Sequence, residues 1–419
     1  MSGSLQQGND CYKRGDPAGA VVHYRRALVD HPDSLEVRHN LGVALRDCEH
    51  WDEAREQFQA LLACTPHCPP AHNNLGILAA QSGDYLAAVK HYRQAIAQQD
   101  VFPDAHFNLG MLLLKLGEFP EGLAECEWRW QTPRFTPLVC PQPRWDGHSL
   151  PGTLLVHTEQ GAGDTFQFAR YLPEAARRCQ RLLLVCPDNL VRLLTLIPGV
   201  AEIRTAGQIP LDAFAAYSPL MSLPYLFGTM LETIPAGVPY ICVPDPWFRL
   251  PPAAVDCPRL RVGFAWAGSP THANDRHRSC RLTDLLPLFE LPGVAWYSLQ
   301  KDPQRAELQT CPVRDRLVDL DTHLHDFADT ASAIGQLDLV ISVDTAVAHL
   351  AGALGKPVWV LLPTSSDWRW LLDRTDSPWY PTMRLFRQAQ SDDWSGPVEQ
   401  VLALLRRAGS RLLSGLVLP

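Results

Sequence analysis

Four glycines, Gly8, Gly42, Gly76 and Gly110, recur at intervals of 34 residues. Ala20, Ala54 and Ala88 keep the same interval, and Gly122 continues it with another small residue. Tyr24, Phe58 and Tyr92 follow it as well, while Cys126 breaks the aromatic series. A period of that length confines the first third of the chain to a stack of helical hairpins, because one such unit cannot bury its apolar face alone. Small residues at the Gly8 and Ala20 positions let two helices approach, and the aromatic fills the space between them. Pro32 and Pro66 end second helices, and Gly15, Gly83 and Gly117 mark turns inside units. The third unit displaces its proline to Pro103, and the fourth lacks both aromatic and proline, so the fourth is expected to serve as a junction.

This pattern resembles the tetratricopeptide repeat family over residues 1–134, in about four units. The resemblance implies a superhelix whose concave groove takes a protein or peptide, or else a scaffold for packing or dimerisation. Asn74 and Asn108, one period apart on first helices, are the residues expected to meet an extended peptide backbone. A solvated helix face is the alternative for both, and self-association of the chain is left open.

The chain has 419 residues, enough for two or three domains. Its 37 Lys+Arg against 45 Asp+Glu give a net charge of -8, which speaks against a nucleic-acid partner held through phosphates. No apolar run is long enough to cross a bilayer, and the polar start MSGSLQQGNDCYKRGD carries no secretory h-region, so a cytoplasmic location and no membrane insertion are expected. The 12 cysteines fall singly; Cys64 and Cys68 flank His67 but lack a second ligand pair, so reduced thiols and no metal are expected.

Beyond a proline-rich linker at 135–151, expected to be packed by Trp128, Trp130 and Trp145, short apolar runs alternate with amphipathic segments. The runs at 154–158, 181–186, 202–206, 261–267, 294–300, 338–343 and 357–363 predict strands of parallel sheets with helices on both faces. The proline-rich stretch 246–258 separates two doubly wound lobes, 152–245 and 259–395, with a ligand expected in the cleft at the strands' carboxyl ends. A last helix, 396–419, is expected to pack back across both lobes.

Three loops after strands carry the candidate chemistry. In HTEQGAGDTFQFARYLP, Gly161 and Gly163 allow close backbone approach, Asp164 opens a helix at the cleft edge, and Gln167 lies one turn on. A carboxylate there is also a good helix cap. In GFAWAGSPTHANDRHRSCRL, Trp266 and Ser269 precede a cluster including Arg276 and Arg278, whose planar forks suit a diphosphate; a surface salt-bridge cluster is the alternative. In the third, Asp344, Thr345 and Ala346 start a helix whose free N–H groups favour an anion, while His349 faces the cleft or the core. Gln300 and Lys301, at another strand end, are further contacts to base or phosphate, or ordinary strand-end residues.

The run D-T-x-x-x-H-L-x-x-A-L-x-x-P at 344–357 resembles the nucleotide-binding motif of the ADP-heptose:lipopolysaccharide heptosyltransferases, and Gly163-Asp164 before Leu172-Pro173 resembles their N-terminal G-D motif. With EQGAGD, QFARYLP, DWRW and SPWYP, residues 152–405 are similar to bacterial tetratricopeptide-repeat proteins with a C-terminal glycosyltransferase domain. The resemblance implies a GT-B fold and metal-independent, inverting transfer from a nucleotide diphosphate-sugar, with no further cofactor. It makes Asp164 the general base and the 344–346 helix start the phosphate site. Ala346 departs from the usual glycine, and the family's phosphate-binding lysine has no clear counterpart, Arg276 or Arg278 standing in for it. No D-x-D pair follows a strand recognised here. A repeat array before a transferase also resembles the O-GlcNAc transferases, which makes a protein acceptor the leading expectation. A saccharide or lipopolysaccharide acceptor, or a nucleotide-binding scaffold without catalysis, are the alternatives.

Overall fold

The computed structural model describes residues 3–209, 213–243, 246–253, 255, 258–272, 274–301 and 303–408. The chain divides into two compact units, Met1–Leu138 and Val139–Pro419.

The first unit is a series of helix pairs: α1 (Gly3–Lys13), α2 (Pro17–Asp30), α3 (Leu35–Asp47), α4 (Trp51–Cys64), α5 (Pro69–Gln81), α6 (Tyr85–Gln98), α7 (Pro103–Leu116) and α8 (Phe119–Cys126). Local chemistry sets the starts. The Asp16, Ser34 and Asp84 side chains accept from backbone N–H groups of α2, α3 and α6, and Pro17, Pro69 and Pro103 occupy first-turn positions where no N–H is needed. A Cβ on Gly42 or Gly76 would stand 2.8 or 2.6 Å from the ring of Phe58 or Tyr92, so the glycine of each pair's first helix is the seat of the aromatic on its second. In the fourth pair a Cβ on Gly110 would meet the Cys126 backbone nitrogen at 2.7 Å. There the missing aromatic is replaced by closer helix approach.

A polar tie repeats with the same period. Arg38 donates to the Pro32 carbonyl and to Gln57; His106 bonds the Asp100 carbonyl and Glu125; His72 meets His91, Nδ1 to Nδ1, at 3.2 Å. Trp128 stacks on His106 at 4.0 Å between centroids, and Trp130 packs on Phe135.

The second unit holds two parallel sheets with helices between their strands, the architecture expected from the strand–helix alternation. Sheet one, ordered β3-β2-β1-β4, consists of β1 (Leu150–His157), β2 (Cys179–Val185), β3 (Glu202–Arg204) and β4 (Ala216–Pro219). Sheet two, ordered β10-β9-β8-β5-β6-β7, consists of β5 (Leu260–Ala265), β6 (Val294–Ser298), β7 (Leu317–Asp319), β8 (Leu339–Val343), β9 (Val358–Leu362) and β10 (Met383–Arg387). Strands β6, β8 and β9 are buried along their whole length, as strands covered on both faces must be.

Strands β4, β7 and β10 were not among the predicted runs. β4 and β7 are three or four residues long, and β10 alternates arginine with apolar residues, Met-Arg-Leu-Phe-Arg. The last helix, Ser395–Ala408, differs from expectation: Val398, Val401, Leu402 and Leu405 join the core of the second lobe rather than spanning both lobes. The expected extension to 419 lies outside the described residues, as do several positions of the 246–258 linker. Of that linker, Phe248 and Leu250 are held on the Gln336 side chain. Trp145 packs against Phe227 within the second unit.

Candidate functional site

Each sheet has one place where chain order reverses, the position at which parallel α/β sheets form a ligand crevice at the carboxyl ends of their strands. In sheet one it lies between β1 and β4; in sheet two, between β5 and β8. The first crevice is closed by the loop 158–161 and the Ala162–Phe168 helix, the second by the segment after β5 and the Ala346–Ala353 helix after β8.

These two helices meet. A Cβ on Gly163 would lie 3.0 Å from the His349 ring and 3.6 Å from the Ala346 Cα, so only glycine gives this approach without a shift. Gly163, Asp164, Asp344, Thr345, Ala346 and His349, distant in sequence, therefore assemble at one seam. Asp164 is occupied on both oxygens: Oδ2 accepts the Gly161 N–H at 2.8 Å, and Oδ1 pairs with Arg369. The capping alternative is thus realised, and an interlobe ion pair is added to it.

The Ala346–Ala353 helix begins at Thr345 without a side-chain cap, because the Thr345 hydroxyl turns inward to Ser342 at 2.9 Å. Its first-turn N–H groups are left for another acceptor, on half-exposed Ala346 and Val347. Arg278 stands beside this end, donating to the Asp344 carbonyl at 3.2 Å. Burial would raise the Asp344 carboxyl, but His349, Trp370 and Arg278 outweigh it and hold the group below its ordinary range. His349 is buried, bonded through Nδ1 to the Tyr380 hydroxyl at 3.0 Å and stacked on Trp370 at 5.3 Å.

Other predicted residues serve elsewhere. Trp266 is wholly buried, its indole N–H on Glu307, and has no ring face for a ligand. The Gln300 amide is consumed in pinning the loop after β5: Oε1 accepts from Trp266 and Ala267, and Nε2 donates to the Ala267 and Lys301 carbonyls. Lys301 caps the Asp321 and Leu324 carbonyls and pairs with Asp321. Arg276 is exposed and reaches His277 rather than Asp344; exposed Ser269 bonds Thr271. Gln167 is fully buried, beyond direct contact with a ligand. In the first unit, Asn74 is buried between Arg46 and the Pro70 carbonyl, and Asn108 donates to Asn73 at 3.0 Å. Both asparagines tie helices together. A D-x-D pair does follow a strand, since β7 ends at Asp319 and Asp321 comes two residues on; Arg305 and Lys301 neutralise the two. Among the described residues no group of three His, Cys, Asp or Glu is arranged to hold a metal ion.

Sequence reasoning missed Arg369, Arg170 and Tyr240 as individual residues. Arg170, buried, threads from the first lobe into a cage: it donates to the carbonyls of Gln167, Pro235 and Trp379 and to the Tyr240 hydroxyl, with the Tyr240 and Tyr380 rings each 4.7 Å away. Arg192 makes a second interlobe link, to Asp326 and Asp329. The available signal was the aromatic density of DWRW and SPWYP, which supplies most of the seam.

Tetratricopeptide-repeat family profiles match residues 12–75 and 73–127, so the first unit is built of tetratricopeptide repeats. Protein FlbA of Caulobacter vibrioides is 25% identical over 459 aligned positions, covering 92% of this chain and 74% of that protein. A solved O-GlcNAc transferase mutant of Thermobaculum terrenum aligns over 99% of this chain and 93% of its own, at 15% identity and a TM-score of 0.34. MamA of Desulfovibrio magneticus aligns over 30% of this chain and 71% of its own, at 17% identity and a TM-score of 0.27. No helix among the described residues is long and apolar enough to cross a membrane.

Proposed function

We propose that the chain is a glycosyltransferase that moves a sugar, with inversion, from a nucleotide diphosphate-sugar to an acceptor hydroxyl. The observation that carries this reading is the meeting of the two crevices at Gly163 and His349, with an uncapped helix end on one side and a carboxylate on the other. The donor diphosphate lies on the Ala346 end of the helix beside Arg278. As the bond from sugar carbon to phosphate oxygen breaks, the departing charge is taken up by the helix dipole, the N–H groups and the guanidinium. The acceptor oxygen forms its bond on the opposite face of that carbon and gives its proton to Asp164. The acceptor is a protein or peptide held by the repeats, Asn108 keeping its carbonyl oxygen for the backbone.

The test is calorimetric titration of the full chain with UDP, ADP and GDP, with and without magnesium. One of them is expected to bind at a single site and to weaken on Arg278→Ala. Asp164→Asn is expected to abolish transfer from the matching nucleotide-sugar while leaving nucleotide affinity unchanged. No binding of any nucleotide would sink the reading.

A further inference from the structure

We propose that Arg369 is a positioning residue that reaches from the second lobe to fix the Asp164 carboxylate of the first, so that the proton acceptor is complete only while the lobes are closed. This rests on the transferase reading above. Arg369 is 7% exposed, and both ends of its fork are committed. One nitrogen pairs with Asp164 across the seam; the other donates to Asp367 Oδ1 at 2.8 Å, and the same oxygen accepts the Arg369 backbone N–H at 3.0 Å. The Trp368 ring lies 4.7 Å from the guanidinium and the Phe168 ring 5.7 Å, one from each lobe. A planar fork held in this way fixes direction as well as charge, which a lysine point charge does not.

The backbone supports the same assignment independently. Five non-glycine residues among those described have positive φ, and three of them flank this pair: Gln160 at 58°, Leu371 at 52° and Asp373 at 47°. Leu371 also has ψ −162°, a combination open almost only to glycine, yet its side chain is buried. Strain of about 1–3 kcal/mol per residue persists where surrounding contacts over-determine the chain, as they do on both sides of the ion pair.

A role as phosphate ligand suits Arg369 less than Arg278. Burial alone would lower its pKa, but Asp367, Asp164 and Asp344 more than compensate and hold it above its ordinary value. A cation already surrounded by three carboxylates has little charge to lend a diphosphate. Without the second lobe, Asp164 would keep only its bond from Gly161.

The experiment compares full-length Arg369→Gln and Arg369→Lys with the unmodified chain, each first shown to melt cooperatively. Arg369→Gln is expected to speed amide exchange across residues 159–168 by about tenfold, as a local opening would. It is expected to lower kcat by about a hundredfold, the cost of a misplaced group, with donor KM and nucleoside diphosphate affinity within about twofold. Arg369→Lys should fall between. If Arg369→Gln does not fold, Arg369→Lys carries the same three measurements. Unchanged exchange in an active chain overturns the positioning role. So does a loss of UDP, ADP or GDP affinity in step with turnover, which would make the unpartnered Nε of Arg369 a donor contact. An unmodified chain that binds no nucleotide and turns over no nucleotide-sugar defeats the transferase reading instead, whatever the variants do to exchange.

Discussion

Gly163 and His349 touch across the seam between two lobes, with no room for a methyl group unless the imidazole yields. The imidazole has little freedom to do so, being tied to Tyr380 behind and stacked on Trp370. Gly163→Ala is therefore expected to destabilise the chain by about 1–2 kcal/mol through overpacking. It should also weaken nucleotide binding by prying the lobes apart. Gly161→Ala is the control. Its φ is −95°, and its added Cβ would come no nearer than 3.3 Å to any atom, the Asp164 carboxylate oxygen, so the cost should stay below about 1 kcal/mol. Chemical denaturation of the two variants separates them, and equal costs would refute the close-approach argument.

Arg170 is a buried cation with no carboxylate in contact among the described residues; three carbonyls, a hydroxyl and aromatic faces hold it. Desolvation would lower its pKa, and the Tyr240 and Tyr380 rings and hydroxyls offset that and keep it raised. Arg170→Met strips several buried acceptors of their donor at once and should cost about 3 kcal/mol or more. Arg170→Lys should recover only part of this, because one ammonium cannot serve all four acceptors. Unfolding in urea measures both; a cost under about 1 kcal/mol would mean the cage is dispensable.

The turns inside the four repeats place Gly15, Glu49, Gly83 and Gly117 one period apart, all with positive φ, Glu49 at 62°. A side chain in that conformation costs about 1–2 kcal/mol, which glycine avoids. Glu49→Gly is thus expected to stabilise the repeat unit by about 1 kcal/mol. A rise in melting temperature checks it, and a fall would show that contacts of the Glu49 side chain outweigh the strain.

His72 and His91 face each other, and burial lowers both pKa values. For His72 the neighbouring His67 adds to the effect while the Pro66 carbonyl opposes it; for His91, His72 and Lys90 add to it and Asp84 opposes. The unfolded chain then binds more protons than the folded one just below the ordinary histidine value of about 6.5. Stability contributed by this pair is full above that pH and is lost as pH falls from it through the lower folded values. The protection of amides over residues 66–92 of the full chain, taken relative to the free-peptide exchange rate at each pH, should fall as the pH is lowered from 7.5 to 5.5. With His91→Gln that fall should shrink, because the Gln57 position shows that an amide fits this tie.

The interval of 34 residues carried nearly the whole plan of the first unit, since every residue on it makes contacts within one or two repeats. Six of the seven predicted runs became strands with a continuous apolar stretch at their heart, while β3, Glu-Ile-Arg, has no buried residue and is held by its pairing with β2. β4 and β7 are too short for such a pattern, and in β10 arginines interrupt it; their places come from pairing with β1, β6 and β9. Of the candidate site, the residues at helix starts were legible because capping and backbone freedom are local. Trp266 and Gln300 were not, since aromatic and amide side chains near a strand end look the same whether they face a ligand or a core.

The sequence by itself determined the repeat architecture, the alternation of strand and helix, and which loops carry glycine, carboxylate and arginine. Those properties depend on neighbours within a few turns of chain. Only the tertiary structure decided that Asp164 is shared with Arg369, 205 residues away, and that Gly163 is the contact point of two lobes. A contact of that range is set by how two sheets pack, and no local spacing encodes it.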